Sequence, residues 1–207
     1  MTHNKEQTRN ISAAILAGGT AKRLGGISKS NVVIGGKTVI SRIMEALSGL
    51  FNEIIVVSNT PGAFSDLEGI RIVRDVYPGI GPLAGIHAAL KSAHSEAVFI
   101  VAGDMPLLSV SLIKFELEEY FRRKPDVLIP KTGDLIEPLH SVFSTQIENN
   151  LEEFITGRKT FAVREYLKIV RTEYFEPPDL KEAMRSFINI NSPEDIERIE
   201  KLYTKSF

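Results

Sequence analysis

The sequence predicts an α/β fold of three layers, α/β/α, built around a mostly parallel sheet. Short apolar runs alternate along the chain with longer segments of helical periodicity, an order typical of parallel strands joined by helices. The runs 54–57 (IIVV) and 98–101 (VFIV) are apolar throughout, as strands buried on both faces should be. Together these observations indicate a Rossmann-like sheet covered by helices on both faces.

The first half of the chain gives the clearest elements. Residues 11–16 form a buried-strand candidate that ends at Ala17-Gly18-Gly19, and a glycine-rich loop follows to about Gly36. Residues 39–50 have apolar side chains at helical spacing and are predicted to form a helix. The other elements expected in this half are strands 54–57, 70–73 and 97–102 and a helix over 82–93.

The second half is less regular. A helix is predicted over 109–121, where Ser109 is a suitable N-cap. The last helix should begin at Pro193, after the cap candidate Ser192, and run to about Tyr203. Between them the pattern predicts strands 126–130 and 139–143 and helices 145–155 and 161–169. We expect a single domain over 1–207, divided functionally at about residue 105.

The amino-acid composition argues against several classes of binding partner and site. Lys and Arg number 25 and Asp and Glu number 26, so no general excess of positive charge favours nucleic acid or anionic lipid. The chain has no cysteine, which excludes disulfides, thiolate metal sites and cysteine nucleophiles. The first ten residues are polar, and no apolar run reaches the roughly 20 residues of a membrane helix. We therefore expect a cytoplasmic protein with neither a membrane nor a nucleic-acid partner.

The loop after the first strand carries the strongest functional signal. Gly18 and Gly19 allow close approach of backbone N–H groups to phosphate oxygens, and Lys22, Arg23 and Lys29 follow in the same loop. Such a loop suits a nucleotide triphosphate, although solvated cations on a surface loop would give the same composition. The spacing excludes a P-loop and the Gly-x-Gly-x-x-Gly dinucleotide fingerprint.

Two acids follow later strands. Asp104 comes after the apolar run 97–102, and a carboxylate there fits a Mg²⁺ ligand at the strand edge that the glycine loop shares. Asp75 follows strand 70–73 and precedes the string GPLAGI (81–86), in which Pro82 suits a helix start. Either acid is equally compatible with an ordinary turn or cap.

These strings together resemble a known family. LAGGTAKRLGG (16–26) followed by Lys29 looks like the signature of nucleotidyltransferases with the glycosyltransferase-A-like fold, and its paired glycines are most similar to the molybdenum cofactor guanylyltransferases. The strings GPLAGI, AGDMPLL (102–108), EPLHSVF (137–143) and FININSPED (187–195) resemble that family in the same order. Ser28 and Glu137 depart from its usual Asp and Gln or His.

The resemblance implies transfer of GMP from GTP to molybdopterin, with pyrophosphate released and Mg²⁺ as cofactor. Residues 11–105 would bind the nucleotide and residues 106–207 the acceptor, and other proteins of molybdenum cofactor synthesis would be transient partners. The implied catalytic residues are Arg23, Lys29 and Asp104, with Asp104 as the metal ligand. The implied nucleotide-binding residues are Leu16, Ala17, Gly18, Gly19, Lys29, Asp75 and Asp104. The acceptor-binding candidates are His140, Asn189 and Asn191.

Two alternatives stay open. A relative that uses another base or acceptor, such as a molybdopterin cytidylyltransferase or a sugar-phosphate nucleotidyltransferase, would carry a similar loop and acid. A nucleotide-binding regulatory module without catalysis is the alternative from another class, and the departures at Ser28 and Glu137 are compatible with it.

Overall fold

A computed structural model describes residues 10–18, 28–60, 62–157 and 160–204. Its strands are β1 (Ile11–Leu16), β2 (Val33–Ile34), β3 (Lys37–Thr38), β4 (Ile54–Val57), β5 (Arg71–Val73), β6 (Ala97–Ala102), β7 (Val127–Thr132), β8 (Leu135–Ile136), β9 (His140–Ser144) and β10 (Thr172–Phe175). Its α-helices are α1 (Val39–Leu47), α2 (Pro82–Ser92), α3 (Val110–Arg123), α4 (Glu148–Gly157), α5 (Val163–Tyr166), α6 (Leu180–Ser186) and α7 (Pro193–Thr204). Short 3-10 helices cover Lys29–Asn31 and Thr145–Ile147.

The central sheet has the strand order β10-β7-β9-β6-β1-β4-β5. Strand β1 pairs in parallel with both β4 and β6, and β4 continues in parallel with β5. Strand β9 runs antiparallel to its neighbours β6 and β7, and β10 pairs in parallel with β7. The predicted mostly parallel sheet is thus confirmed, with β9 and the short β8, which pairs with β7, as its reversed strands.

Apolar side chains fill the space on both faces of the sheet. On one face, Ala13 and Ile15 of β1 pack in a cluster that includes residues of α1, α3 and α7. On the other face, Ala14 packs in a cluster that includes residues of α2, α4 and α5. Successive residues of a strand point to opposite faces, so this division of one strand between two clusters gives the predicted three layers.

Several elements differ from their predicted bounds. Helix α1 ends at Leu47 and α5 is limited to Val163–Tyr166, both shorter than predicted. Strand β10 was missed because its sequence, TEYF, is mostly polar or exposed, and only Phe175 is buried. Helix α6 was also missed; it is seven residues long, and the side chain of Asp179 caps it by accepting a hydrogen bond from the Glu182 N–H. Within the described part of the chain, no helix has both the length and the apolar character needed to cross a membrane.

Candidate active site

A cavity of about 450 Å³ opens at the carboxyl edge of the parallel strands β1, β4, β5 and β6. This is where ligands bind in open α/β sheets, because the loops that leave neighbouring strands diverge there. The lining residues include Leu16, Gly18, Lys29, Ser30, Asn59, Asp75, Gly79, Gly81, Gly85, Asp104 and Leu139. Gly18, Lys29, Asp75 and Asp104, which come from distant parts of the sequence, thus face one cavity.

Gly103 presses the loop after β6 against the end of β1. Its N–H donates a hydrogen bond to the Leu16 carbonyl at 3.0 Å. A Cβ added at this position would lie 2.5 Å from Ser30 Oγ and 3.0 Å from Ala17 Cα, so glycine is required for this approach. The contact fixes the position of Asp104 relative to the segment that carries Lys29.

Lys29, Asp104 and Asn191 meet at one point of the cavity. The Lys29 ammonium donates to Asp104 Oδ2 at 2.8 Å and to Asn191 Oδ1 at 2.6 Å. The backbone of Asp104 is held as well, because its carbonyl accepts the Ile190 N–H at 3.0 Å. The side chains of Lys29 and Asp104 remain 28% and 18% exposed, so this ion pair can reach a ligand in the cavity.

The donor set is compatible with a hard dication. A carboxylate oxygen of Asp104 and the amide oxygen of Asn191 both lie within 2.8 Å of the Lys29 ammonium, which therefore occupies the position of a cation between two oxygens. Mg²⁺ binds oxygen ligands and commonly takes only one or two carboxylates, with phosphate and water oxygens completing its shell. Asp104 fits that role.

Asp75 lies on another wall of the same cavity and is paired with Asn59. The Asp75 N–H donates to Asn59 Oδ1 at 3.0 Å, and Asn59 Nδ2 donates to Asp75 Oδ2 at 2.8 Å. Sequence reasoning missed Asn59, which lies two residues after β4 and was readable only as part of a turn. The reciprocal pair fixes the carboxylate and leaves one of its oxygens directed away from the amide.

The string GPLAGI has a structural explanation at this site. Gly81, at φ +80°, occupies the N-cap position of α2, a conformation that residues with a side chain rarely adopt. A Cβ on Gly85 would lie 3.1 Å from Leu16 Cδ2, so this glycine lets α2 pack closely against the end of β1. The start of α2 therefore forms a wall of the cavity that is bare of long side chains.

The nucleotide-binding residues predicted at the end of β1 and just after it do not all line the cavity. Leu16 and Gly18 line the cavity as expected. The Ala17 N–H, in contrast, donates to the Val57 carbonyl at 2.9 Å, and the residue is only 6% exposed. Ala17 was predicted to bind the nucleotide, but its N–H cannot hold a phosphate, because that N–H already completes the sheet. Gly19 and Arg23 lie outside the described residues.

His140 does not face the cavity, which corrects its predicted acceptor role. Its ring is fully buried between Phe99 and Phe187, and Nδ1 lies 3.0 Å from Glu116 Oε2, also fully buried. Burial raises the pKa of Glu116 to about 7, and its contact with His140 offsets part of that rise. An imidazole enclosed in this way supports the packing of α3 against β9 and cannot touch an acceptor.

The two asparagines near the C-terminus, Asn189 and Asn191, make different contacts. The segment that contains Asn189 and Asn191 is not a strand, so the two candidate side chains do not share a strand face. Asn189 Nδ2 donates to the nearby Phe187 carbonyl at 3.3 Å, whereas Asn191 reaches Lys29. Asp195 accepts the N–H groups of Asn191 and Ser192 and so fixes the start of α7 beside the cavity.

A mostly parallel α/β sheet with a glycine-lined cleft and a lysine–aspartate pair at its carboxyl edge defines the class as a nucleotidyltransferase. Residues 13–171 match the family model described as the MobA-like NTP transferase domain. The chain belongs to that family.

The relatives agree with this assignment. The "Probable molybdenum cofactor guanylyltransferase" of Natranaerobius thermophilus is 33% identical over 96% of this chain and 99% of its own length. The "Molybdenum cofactor guanylyltransferase" of Syntrophotalea carbinolica is 32% identical over 90% of this chain and 89% of its own. Molybdopterin-guanine dinucleotide biosynthesis protein A of Archaeoglobus fulgidus superposes with a TM-score of 0.79 at 28% identity, covering 94% of this chain and 99% of that one. The resemblance inferred from the sequence strings is confirmed.

Proposed function

We propose that this protein transfers GMP from GTP to molybdopterin and releases pyrophosphate. The observation that carries the proposal is the meeting of Lys29, Asp104 and Asn191 at the edge of the strand-end cavity. Relatives named as molybdenum cofactor guanylyltransferases match this chain over nearly its whole length, which supports the choice of base and acceptor. We further propose a cytoplasmic location and transient contacts with other proteins of the same biosynthesis.

The cavity suits a nucleotide lying across the ends of the strands. Gly79, Gly81 and Gly85 leave a wall without bulky side chains on which a base and ribose can lie. Asp75, held by Asn59, offers a carboxylate oxygen to the hydroxyl or amino groups of the nucleoside. The triphosphate would then extend toward Gly18 and Lys29.

Asp104 would hold Mg²⁺ on the triphosphate, where the ion neutralises phosphate charge and orients the phosphate oxygens. The Lys29 ammonium, which now pairs with Asp104, would then be available to neutralise the phosphates. Arg23 is proposed as a second cation for the same charge. Asn191, which now accepts from Lys29, would keep the lysine directed into the cavity.

The transfer requires positioning more than acid–base chemistry. The acceptor's terminal phosphate is already an anion, so its oxygen can attack the α-phosphorus without a strong general base. A bond forms between that oxygen and the α-phosphorus, and the bond from the α-phosphorus to the bridging oxygen of pyrophosphate breaks. The leaving pyrophosphate carries the electron pair away as negative charge. Lys29 and Arg23 lower the barrier by stabilising that charge in a preorganised site.

The test is a nucleotide comparison on the full chain. Pyrophosphate release is measured with molybdopterin, Mg²⁺ and each of GTP, CTP, ATP and UTP, and thermal shift is measured with the same nucleotides. We expect release and selective stabilisation with GTP. Selective turnover of CTP would overturn the base assignment, and tight GTP binding without release would indicate a non-catalytic nucleotide-binding module.

A further inference from the structure

A second cluster of ionisable side chains lies between α2 and α4, and none of its members lines the cavity. His87 projects from α2, and Glu148 and Glu152 project from successive turns of α4. His87 Nε2 lies 3.2 Å from Glu148 Oε1 and 3.8 Å from Glu152 Oε1. The sequence did not suggest this group, because the histidine and the two acids are 61 and 65 positions apart in the numbering.

His87 is buried without a hydrogen-bond partner. Its side chain is 0% exposed, and within the described residues neither ring nitrogen makes a hydrogen bond. The buried Oε1 atom of Glu148, which faces the ring, has none either. The two groups face each other at 3.2 Å without the alignment of a hydrogen bond, so both can still direct a lone pair at an ion placed between them.

The protonation state of His87 suits a metal ligand. Burial lowers the pKa of its imidazole, and the attraction of Glu152 and Glu148 offsets only part of that effect. A lowered pKa favours the neutral ring, which has a lone pair on one nitrogen. Neutral imidazole is the form of histidine that coordinates metals.

The spacing of the three side chains is somewhat wider than that of a coordination shell and can close onto one. Zinc–nitrogen and zinc–oxygen bonds are about 2.0–2.2 Å long, which places neighbouring ligand atoms about 3–3.6 Å apart. One ligand atom from each of His87, Glu148 and Glu152 can be chosen so that all lie within 4.8 Å of one another. Small side-chain rotations would bring all three onto one ion.

Lys91 now supplies the positive charge of the cluster. Its ammonium lies 3.4 Å from Glu148 Oε1 and 3.4 Å from Glu152 Oε1. Its side chain is 45% exposed, so it can turn into solvent without disturbing the core. Tyr77 also donates to Glu152 Oε1, at 2.7 Å, and the second oxygen, Oε2, accepts only the longer hydrogen bond from Lys91, at 3.4 Å, among the described residues.

We propose that His87, Glu148 and Glu152 form a binding site for a first-row transition-metal dication of the Zn²⁺ type, which displaces the Lys91 ammonium. One imidazole and two carboxylates favour such an ion over Mg²⁺, which takes oxygen ligands almost exclusively. Water completes the shell on the exposed side. Because the ligands come from two helices, the bound ion fastens α2 to α4.

The test is a Zn²⁺ titration of the metal-free full chain by competition with a chromophoric chelator. The Asp104→Asn substitution is present throughout, so that the cleft does not contribute. We expect one Zn²⁺ per chain and a rise in melting temperature on binding. Glu152→Gln should weaken binding at least 10-fold, while Glu153→Gln, an exposed neighbour on the same helix, should leave it unchanged.

Lys91→Met provides an independent test of the displacement. Removing the competing ammonium should strengthen Zn²⁺ binding at least 3-fold, whereas loss of a merely structural lysine would not raise affinity. The proposal is overturned if the chain binds no Zn²⁺, if Glu152→Gln and Glu153→Gln bind it equally, or if Lys91→Met does not strengthen binding.

Discussion

The Lys29 ammonium lies 2.8 Å from the Asp104 carboxylate, although 75 positions separate the two residues in the chain. The pair joins the short 3-10 helix Lys29–Asn31 to the end of β6, and Asn191 joins it from the start of α7. The proposed reaction depends on this convergence. An ammonium held between two oxygens at the cavity edge would be well placed to neutralise the phosphates of a bound nucleotide.

Replacement of the carboxylate at position 104 tests the proposed metal role. Asp104→Asn keeps the size of the side chain but removes its negative charge, so we expect pyrophosphate release from GTP to fall by at least about 100-fold. The melting temperature should change little, because the side chain is part of the cavity wall. A folded Asp104→Asn protein that retains turnover would exclude the metal-binding role.

The two asparagines near α7 make a matched pair. Asn191→Ala removes the amide oxygen that holds Lys29, so we expect kcat/KM to fall by about 10-fold, the effect of a lost hydrogen bond to a charged group. Asn189→Ala removes only a 3.3 Å hydrogen bond to the Phe187 carbonyl and should cost less. The measurement is kcat/KM of both variants by steady-state kinetics. A larger loss for Asn189→Ala than for Asn191→Ala would contradict the role given to Asn191.

Gly103 should tolerate no side chain. A Cβ there would lie 2.5 Å from Ser30 Oγ and 3.0 Å from backbone atoms of Leu16 and Ala17, so the loops of β1 and β6 would have to separate. We expect Gly103→Ala to lower the free energy of unfolding by about 1–3 kcal/mol and to reduce activity. Gly49→Ala, where an added Cβ meets no atom within 4 Å, is the control. Equal urea-unfolding midpoints for the two variants would refute the close contact.

The buried Glu116 should make stability depend on pH. Because burial raises the pKa of Glu116 in the folded protein to about 7, above its ordinary value of 4.5, the native state holds this proton more tightly than the unfolded chain. Stability should therefore decline as pH rises from about 4.5 to about 7, by about 3 kcal/mol in total. Glu116→Gln cannot ionise and should lack this decline. Urea unfolding at pH 5 and pH 8 measures it, and an identical pH dependence in both proteins would contradict the raised pKa.

Much of the fold followed from local patterns. The uninterrupted apolar runs of β4 and β6 and the helical spacing in α1 reported burial directly, since a strand buried on both faces has no polar side to display. The N-cap role of Ser109 was also predictable; its hydroxyl accepts the Leu112 N–H at 3.0 Å. Strand β10 and helix α6 were missed because their own residues carry too few buried positions to show a period.

The sequence by itself determined the class of sheet, the family, and the segments that would bear the chemistry: the glycine loop, Asp75, Asp104 and the stretch before α7. Residue types and their spacing suffice to predict these features, because strands, turns and motifs depend on residues that are neighbours in the sequence. The tertiary structure alone decided which side chains meet. It enclosed His140 with Glu116, joined Asn191 to Lys29, and gathered His87 with two acids of α4. Such contacts depend on how elements that are distant in sequence pack against the sheet, and the local pattern of apolar residues carries no information about that packing.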